Sequence, residues 1–135
     1  MWLCLNDGSL SVVADKANPA RLMVRARRKI DLMNIFGPDV EIVETPEADY
    51  RWRTFLHREA FKQVVNSRID SMDYTNFKDS VKDHDLHQMY VEVWERHAKY
   101  GATDPATRKA DRSSHFAWGP GDIVITRQKD GKKKS

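Results

Sequence analysis

The chain has 135 residues, of which 40% are apolar and 32% charged, and its net charge is +3. This length suits one domain, and the mixture is too apolar for a disordered chain and too polar for a membrane protein. No early apolar run approaches the roughly 20 residues of a spanning helix, so neither a signal peptide nor a membrane anchor is expected. The single cysteine, Cys4, excludes an internal disulfide and a cysteine-rich zinc site, which favours a cytoplasmic protein.

The positive charge is concentrated in the two ends of the sequence. Residues 1–37 hold six basic and three acidic residues, and residues 102–135 hold eight basic and four acidic ones. Much of the second excess belongs to the lysines at 129 and 132–134, close to the end of the chain, where a solvated tail is expected. The net charge alone is therefore weak evidence for binding to nucleic acid.

The first part of the chain predicts a hairpin followed by a third strand. Apolar residues 2–5 and 9–14 flank Asn6-Asp7-Gly8, a sequence typical of a tight turn. Residues 22–26 then alternate between apolar and other side chains, which is the period of a half-buried strand. This alternation places Arg25 and Arg27 together on the open face of the predicted sheet.

Helical and strand patterns then follow one another up to residue 101. A short helix from Lys29 is expected to end at Gly37, because glycine and a following proline are common helix stops. Residues 40–44 and 50–57 predict a second hairpin, and residues 58–69 predict a helix. A longer helix over residues 83–100 carries an apolar stripe that we expect to lie on the sheet, formed by Leu86, Met89, Tyr90, Val93, Trp94 and Ala98.

The summed pattern is ββ, β, α, ββ, α, α, which predicts an α+β domain with a mainly antiparallel sheet and helices on one face. This domain is expected to cover residues 1–101. Residues 102–135 are predicted to be a C-terminal extension, with a polar linker, an apolar strand-like patch at 115–126 and the basic tail. Such a patch must be buried somewhere, on the protein itself, on a partner or in a homodimer.

A candidate binding surface is formed by arginines on two of the predicted strands. If they share the outer face of the sheet, they form a basic surface that can bind phosphates or acidic groups. The alternative is that Glu41, Glu44 and Glu47 neutralise them in cross-strand pairs. Alternation places Trp52 on the opposite face, in the core. The candidate macromolecule-binding residues, with the C-terminal patch included, are Arg25, Arg27, Arg51, Arg53, His57, Phe116 and Trp118.

One local cluster has residue types that bind metals. His84 and His87 are three residues apart on a predicted helix and share one face, so with Asp83 they could bind Zn²⁺ or Mn²⁺. The alternative is that Asp83 caps the helix and that the other polar groups suit its dipole. No zinc-protease, phosphate-loop, dinucleotide or hydrolase motif occurs, and no cofactor is expected.

Several segments resemble a group of small bacterial and phage-borne proteins of unassigned function. They are residues 1–6 (MWLCLN), residues 25–29 with Asp31 and Ile35-Phe36, and residues 72–81 (MDYTNFKDSV) with Leu86-His87, Tyr90 and Val93-Trp94. The resemblance covers about residues 1–95 and carries over no catalytic residue. It implies a bacterial cytoplasmic or mobile-element setting, where small proteins without enzyme motifs often inhibit host machinery by binding, anti-CRISPR and other anti-defence proteins among them.

The sequence as a whole predicts a protein that is not an enzyme and that binds a macromolecule, with a protein as the first expectation. Direct binding to nucleic acid through the basic sheet face is the first alternative, and it predicts a strong dependence on salt. A metal-dependent hydrolase built on His84 and His87 is the second.

Overall fold

The computed structural model describes residues 1–110, which hold a five-stranded sheet and four α-helices. The strands are β1 (Trp2–Leu5), β2 (Gly8–Ala14), β3 (Arg21–Ala26), β4 (Val43–Glu44) and β5 (Trp52–His57). The helices are α1 (Lys29–Phe36), α2 (Arg58–Asp70), α3 (His84–Gly101) and α4 (Pro105–Ala110), and a 3₁₀ turn covers Lys78–Ser80. None of these helices has the length and apolarity that crossing a membrane requires.

All strand pairs are antiparallel, and the strand order is β1-β2-β3-β5-β4. The first hairpin closes over Asn6 and Asp7, because Leu5 is paired directly with Gly8. The second is shorter than predicted, since only Val43 and Glu44 of residues 40–44 pair with β5. The α+β class is confirmed, and the element order agrees with the prediction up to α3.

The main core lies on one face of the sheet. Alternate residues of β2 and β3 supply Leu10, Val12, Val24 and Ala26, each at most 4% exposed. They pack in one cluster with side chains of α1 and α2, which are Leu32, Ile35 and Phe61. Both helices therefore cover the same face of the sheet.

Two glycines of this unit are explained by backbone geometry. Gly37 follows α1 with a φ of 98°, in the left-handed region that favours glycine, and its N–H donates to the Met33 carbonyl at 2.9 Å. The predicted helix stop is confirmed. Gly8 lies where the first hairpin touches α1, and a Cβ atom there would stand 2.8 Å from Cδ1 of Ile35. Because α1 approaches the hairpin so closely, residue 8 has no room for a side chain.

The prediction that the apolar stripe of the long helix α3 lies on the sheet is wrong. Leu86 and Tyr90 are buried, but they form a second, small cluster with Val81 and the partly buried Phe77. Met89 and Trp94 of the same stripe are 39% and 45% exposed. The physical reason is that α1 and α2 already cover the apolar face of the sheet. The start of α3 instead packs at the turn of the first hairpin, where the Tyr90 hydroxyl donates to the carbonyls of Leu5 and Gly8.

Residues 1–96 form one compact unit, and a second begins at His97 within α3. The described part of the second unit contains the end of α3 and the short helix α4. Residues 105–110, within the predicted polar linker, form the helix α4. The predicted patch at 115–126 and the lysine tail lie outside the described residues.

Candidate functional site

The sheet face opposite α1 and α2 carries a row of side chains at its centre. Because directly opposed residues of an antiparallel sheet point to the same face, the pairing register aligns one residue from each strand. The row runs across all five strands as Trp2, Ser11, Arg25, Arg53 and Val43. Neighbouring strands lie about 4.8 Å apart, so the row spans about 19 Å. We call this side of the sheet the arginine face.

The two arginines of the row stand directly opposite each other. Like charges in this arrangement destabilise a sheet unless something compensates them. Among the described residues, no carboxylate forms an ion pair with Arg25, Arg27 or Arg53. The alternative that glutamates neutralise the arginines is therefore not supported for these three residues, whereas it holds for Arg51, which pairs with Glu44.

The contacts of these arginines are with neutral groups. Arg25 donates to the Ser11 hydroxyl at 2.8 Å, and Arg53 donates to the Tyr50 carbonyl at 3.2 Å. Arg27 donates to the Asp49 carbonyl at 3.0 Å. In the part of the chain described, the buried Nε atoms of Arg25 and Arg53 have no hydrogen-bond partner. A buried donor without an acceptor costs about 1–3 kcal/mol, so the centre of the arginine face is not optimised for stability.

Aromatic rings lie against the guanidinium groups of Arg25, Arg27 and the neighbouring Arg21. The guanidinium carbons of Arg25 and Arg27 lie 4.8 Å and 4.6 Å from the centre of the Tyr50 ring, and that of Arg21 lies 5.1 Å from the centre of the Phe55 ring. A guanidinium over a ring keeps its in-plane N–H groups for a carboxylate or phosphate. Sequence reasoning missed the role of Tyr50, because this residue precedes β5 and its loop conformation decides where the ring lies.

Arg51 does not join the arginine face, although it was predicted to. Its guanidinium forms an ion pair with Glu44 at 2.6 Å and lies 5.6 Å from the centre of the Trp52 ring. Glu44 and Trp52 are directly paired residues of β4 and β5, which draws Arg51 to that edge. Trp52 packs against the main core, as the alternation predicted.

The remaining predicted binding residues lie apart from the centre. His57 is exposed at the end of β5, opposite Arg21. Arg21 is itself paired with the buried Asp15 at 2.6 Å, so this end of the face has little uncompensated charge. Phe116 and Trp118 lie outside the described residues.

The histidine and aspartate cluster at the start of α3 is engaged in other contacts. Asp83 accepts a hydrogen bond from the Leu86 N–H at 2.9 Å, which is the predicted helix cap, and it forms an ion pair with Arg28. The His87 ring contacts the Lys78 carbonyl at 2.9 Å. Within residues 1–110, no three histidine, cysteine or acidic side chains are placed to hold one metal ion.

A buried carboxylate connects this cluster with α1. Asp31 is 4% exposed, accepts from the Ser9 N–H and pairs with Arg28 at 3.2 Å. Burial raises the pKa of Asp31 above its ordinary value, even though the N–H and Arg28 both act to lower it. The Leu86 N–H and then Arg28 lower the pKa of Asp83. Arg28 thus ties α1 to the start of α3.

Comparison with known proteins gives no relative from which a function could be transferred. No family model, no curated protein and no solved structure matches the chain. The case for function therefore depends on the geometry of the arginine face.

Proposed function

We propose that this protein is not an enzyme and that it binds an acidic surface of another protein through the arginine face. The observation that carries the proposal is the direct opposition of Arg25 and Arg53 without a carboxylate partner in the described chain. A partner carboxylate would accept hydrogen bonds from the terminal N–H groups of the two guanidiniums and would cancel the repulsion between the two charges. Binding would then recover the free energy that the repulsion between the two charges costs the isolated protein.

The aromatic rings favour an acidic protein over single-stranded nucleic acid. Proteins that bind single strands combine basic grooves with aromatic rings that are open for stacking on bases. Here the ring of Tyr50 is already occupied by Arg25 and Arg27, and that of Phe55 by Arg21. At Tyr50 and Phe55 the guanidinium edges, and not the ring faces, are therefore the groups offered to a partner. Trp2, which is 80% exposed at one end of the row, adds an apolar contact of the kind that often anchors protein interfaces.

A finer proposal concerns the role of this binding. The resemblance of residues 1–95 to small bacterial and phage-borne proteins supports an inhibitor of host defence machinery, in the manner of anti-CRISPR proteins. Its acidic target would be part of a complex that handles nucleic acid. The test is phage plating on a bacterial strain with an active defence system: expression of the protein should restore plaques, and a variant with a disabled arginine face should not.

Charge reversal tests the binding surface itself. The double variant Arg25→Glu with Arg53→Glu should weaken binding at least about tenfold, because each charge-assisted hydrogen bond contributes about 1.5–3 kcal/mol. Fluorescence anisotropy with a labelled polyglutamate peptide measures this loss, and affinity purification from a bacterial lysate identifies the natural partner. Lys62→Glu with Arg96→Glu is the matched control, since it makes the same change in net charge at two exposed helical positions. Equal binding by both double variants would contradict the proposal.

Nucleic acid is the alternative outcome of the same experiment. A labelled single-stranded oligonucleotide replaces the peptide, and the affinity is measured at several salt concentrations. Single-strand binding predicts a slope of about −0.7 per phosphate contact in a plot of log affinity against log salt. A steep slope with the oligonucleotide, together with no binding to polyglutamate, would reverse the order of the two hypotheses.

A further inference from the structure

The outer edge of β1, which no described strand pairs with, is a second surface that the proposed function leaves unused. In the described chain, β1 pairs with β2 alone. Met1 and Val12 exchange both backbone hydrogen bonds, each at 2.8 Å. Because hydrogen-bonded and non-hydrogen-bonded pairs alternate in an antiparallel ladder, the N–H and C=O groups of Trp2 and Cys4 point away from β2. The outer edge of β1 therefore offers four backbone groups.

This edge lacks the features that normally prevent a strand from pairing further. Proteins protect exposed edges with charged residues, proline, bulges or very short strands. β4, at the other edge, has only two residues, includes Glu44 and is followed closely by Pro46. β1 has four residues, none of them charged or proline, and its Trp2 is 80% exposed. The two edges of the same sheet thus differ in length and in charge, the properties that limit strand addition.

We propose that β1 pairs with β1 of a second copy of this chain, in antiparallel orientation, so that two sheets become one. The two-fold register that uses all the outward groups places Trp2 opposite Cys4 of the second copy and Leu3 opposite Leu3 of the second copy. It forms four backbone hydrogen bonds. Leu3 and Leu5 already pack at the border of the main core, so this register also joins the apolar faces of the two sheets.

The self-complementary register favours a second copy as the occupant of this edge, and charge does not oppose it. The edge itself is uncharged, so it offers nothing to select an acidic strand. In the paired sheet, five strand spacings of about 4.8 Å separate the two β3 strands, which places the Arg25 side chains about 24 Å apart. This exceeds the Debye length of about 8 Å at physiological salt, so the two arginine faces do not repel each other. Both faces remain open on the same side of the joined sheet.

The association state of the full chain tests the inference. Sedimentation or light scattering from low to several hundred micromolar should show a monomer and dimer in equilibrium, because an interface of this size is small. Cys4→Pro should abolish the dimer: it removes an outward N–H and no bond to β2, and proline is tolerated on edge strands. Val43→Lys, an exposed position on the opposite edge, is the control and should leave the dimer intact.

Each outcome decides for or against the proposal. A wild-type chain that stays monomeric throughout overturns it, and so does a dimer that survives in Cys4→Pro. Circular dichroism checks the fold of that variant. If Cys4→Pro is unfolded, Trp2→Lys takes its place, and the dissociation constant of its dimer should be at least tenfold higher than that of the wild type. A dimer lost only in Phe116→Ser with Trp118→Ser would locate the interface in the C-terminal segment and contradict an interface at β1.

The single cysteine allows a geometric check. In the proposed register, the Cα atoms of Cys4 in the two copies are about 9 Å apart, on the same face of the sheet. This is too far for a disulfide without movement of the backbone, but it suits a short bis-maleimide. Because Cys4 is exposed and is the only cysteine, such a linker should give a covalent dimer at higher yield than oxidation does. A higher yield by oxidation would exclude this register.

Discussion

The two faces of the sheet are built from the same strands and have opposite properties. On the face covered by α1 and α2, Val24 and Thr54 are paired, and they are 0% and 2% exposed. The adjacent pair, Arg25 and Arg53, lies on the arginine face. The buried Nε donors of both residues have no partner in the described chain. The first pair belongs to the buried core, whereas the second opposes two like charges, an arrangement that is expected to cost stability. A position where a sheet gives up stability is a place to look for function.

The largest expected effect comes from the covered face. Leu32→Ala removes a side chain of α1 that is 0% exposed, and it should lower the free energy of unfolding by about 2–5 kcal/mol. Urea denaturation measures the change. The control is Ile30→Ala, which alters an apolar side chain of the same helix that is 46% exposed and should cost far less. Similar losses in the two variants would show that α1 is not packed as described.

The next effect concerns the attachment of α3 to the first hairpin. Tyr90→Phe removes the hydroxyl that donates to the Leu5 and Gly8 carbonyls, and it should cost about 1–2 kcal/mol. Tyr100→Phe is the matched control, because Tyr100 is 77% exposed and the same change should be nearly neutral. Hydrogen exchange of the Leu86 and Tyr90 amides should speed up in the first variant only. Unchanged exchange would mean that the small apolar cluster suffices to hold α3.

On the arginine face, unlike in the core, a substitution should leave the free energy of unfolding unchanged or raise it. Arg53→Thr removes the like-charge opposition with Arg25 and introduces a good strand former, so the free energy of unfolding should stay within about 0.5 kcal/mol of wild type or rise. Thermal melting at low and high salt sharpens the test, because screening should stabilise the wild type more than the variant. A loss of more than about 1 kcal/mol would show that Arg53 is structural.

The smallest change in stability at neutral pH is expected for Asp83→Asn, since asparagine also caps helices well. The pKa of Asp83 is lowered in the folded protein by the Leu86 N–H and Arg28. A group with a lowered pKa contributes stability that is present above its ordinary pKa, near 4, and is lost as the pH falls through the folded value. The fall of stability below about pH 4 should therefore be shallower in the variant than in the wild type. Melting curves at several acidic pH values measure this, and identical slopes would contradict it.

Much of the fold was predictable because its signals are local. The Asn6-Asp7-Gly8 turn, the alternation around Val24 and the stop at Gly37 each depend on a few neighbouring residues, and all three are confirmed. The site was predictable only in part. Alternation placed Arg25 and Arg53 on one face, but it could not show that Arg51 pairs with Glu44, because that pairing depends on how β4 meets β5.

The sequence by itself determined the class of fold, the residues of β3 that share a face and the helix cap at Asp83, since these follow from side-chain periodicity and short-range hydrogen bonding. Tertiary structure alone decided which charges meet. It opposed Arg25 to Arg53, placed the loop residue Tyr50 beneath two guanidinium groups and moved α3 from the sheet face to the hairpin turn. The reason is that charge pairing and helix docking depend on register and on which surface is already covered, and both are long-range properties of the folded chain.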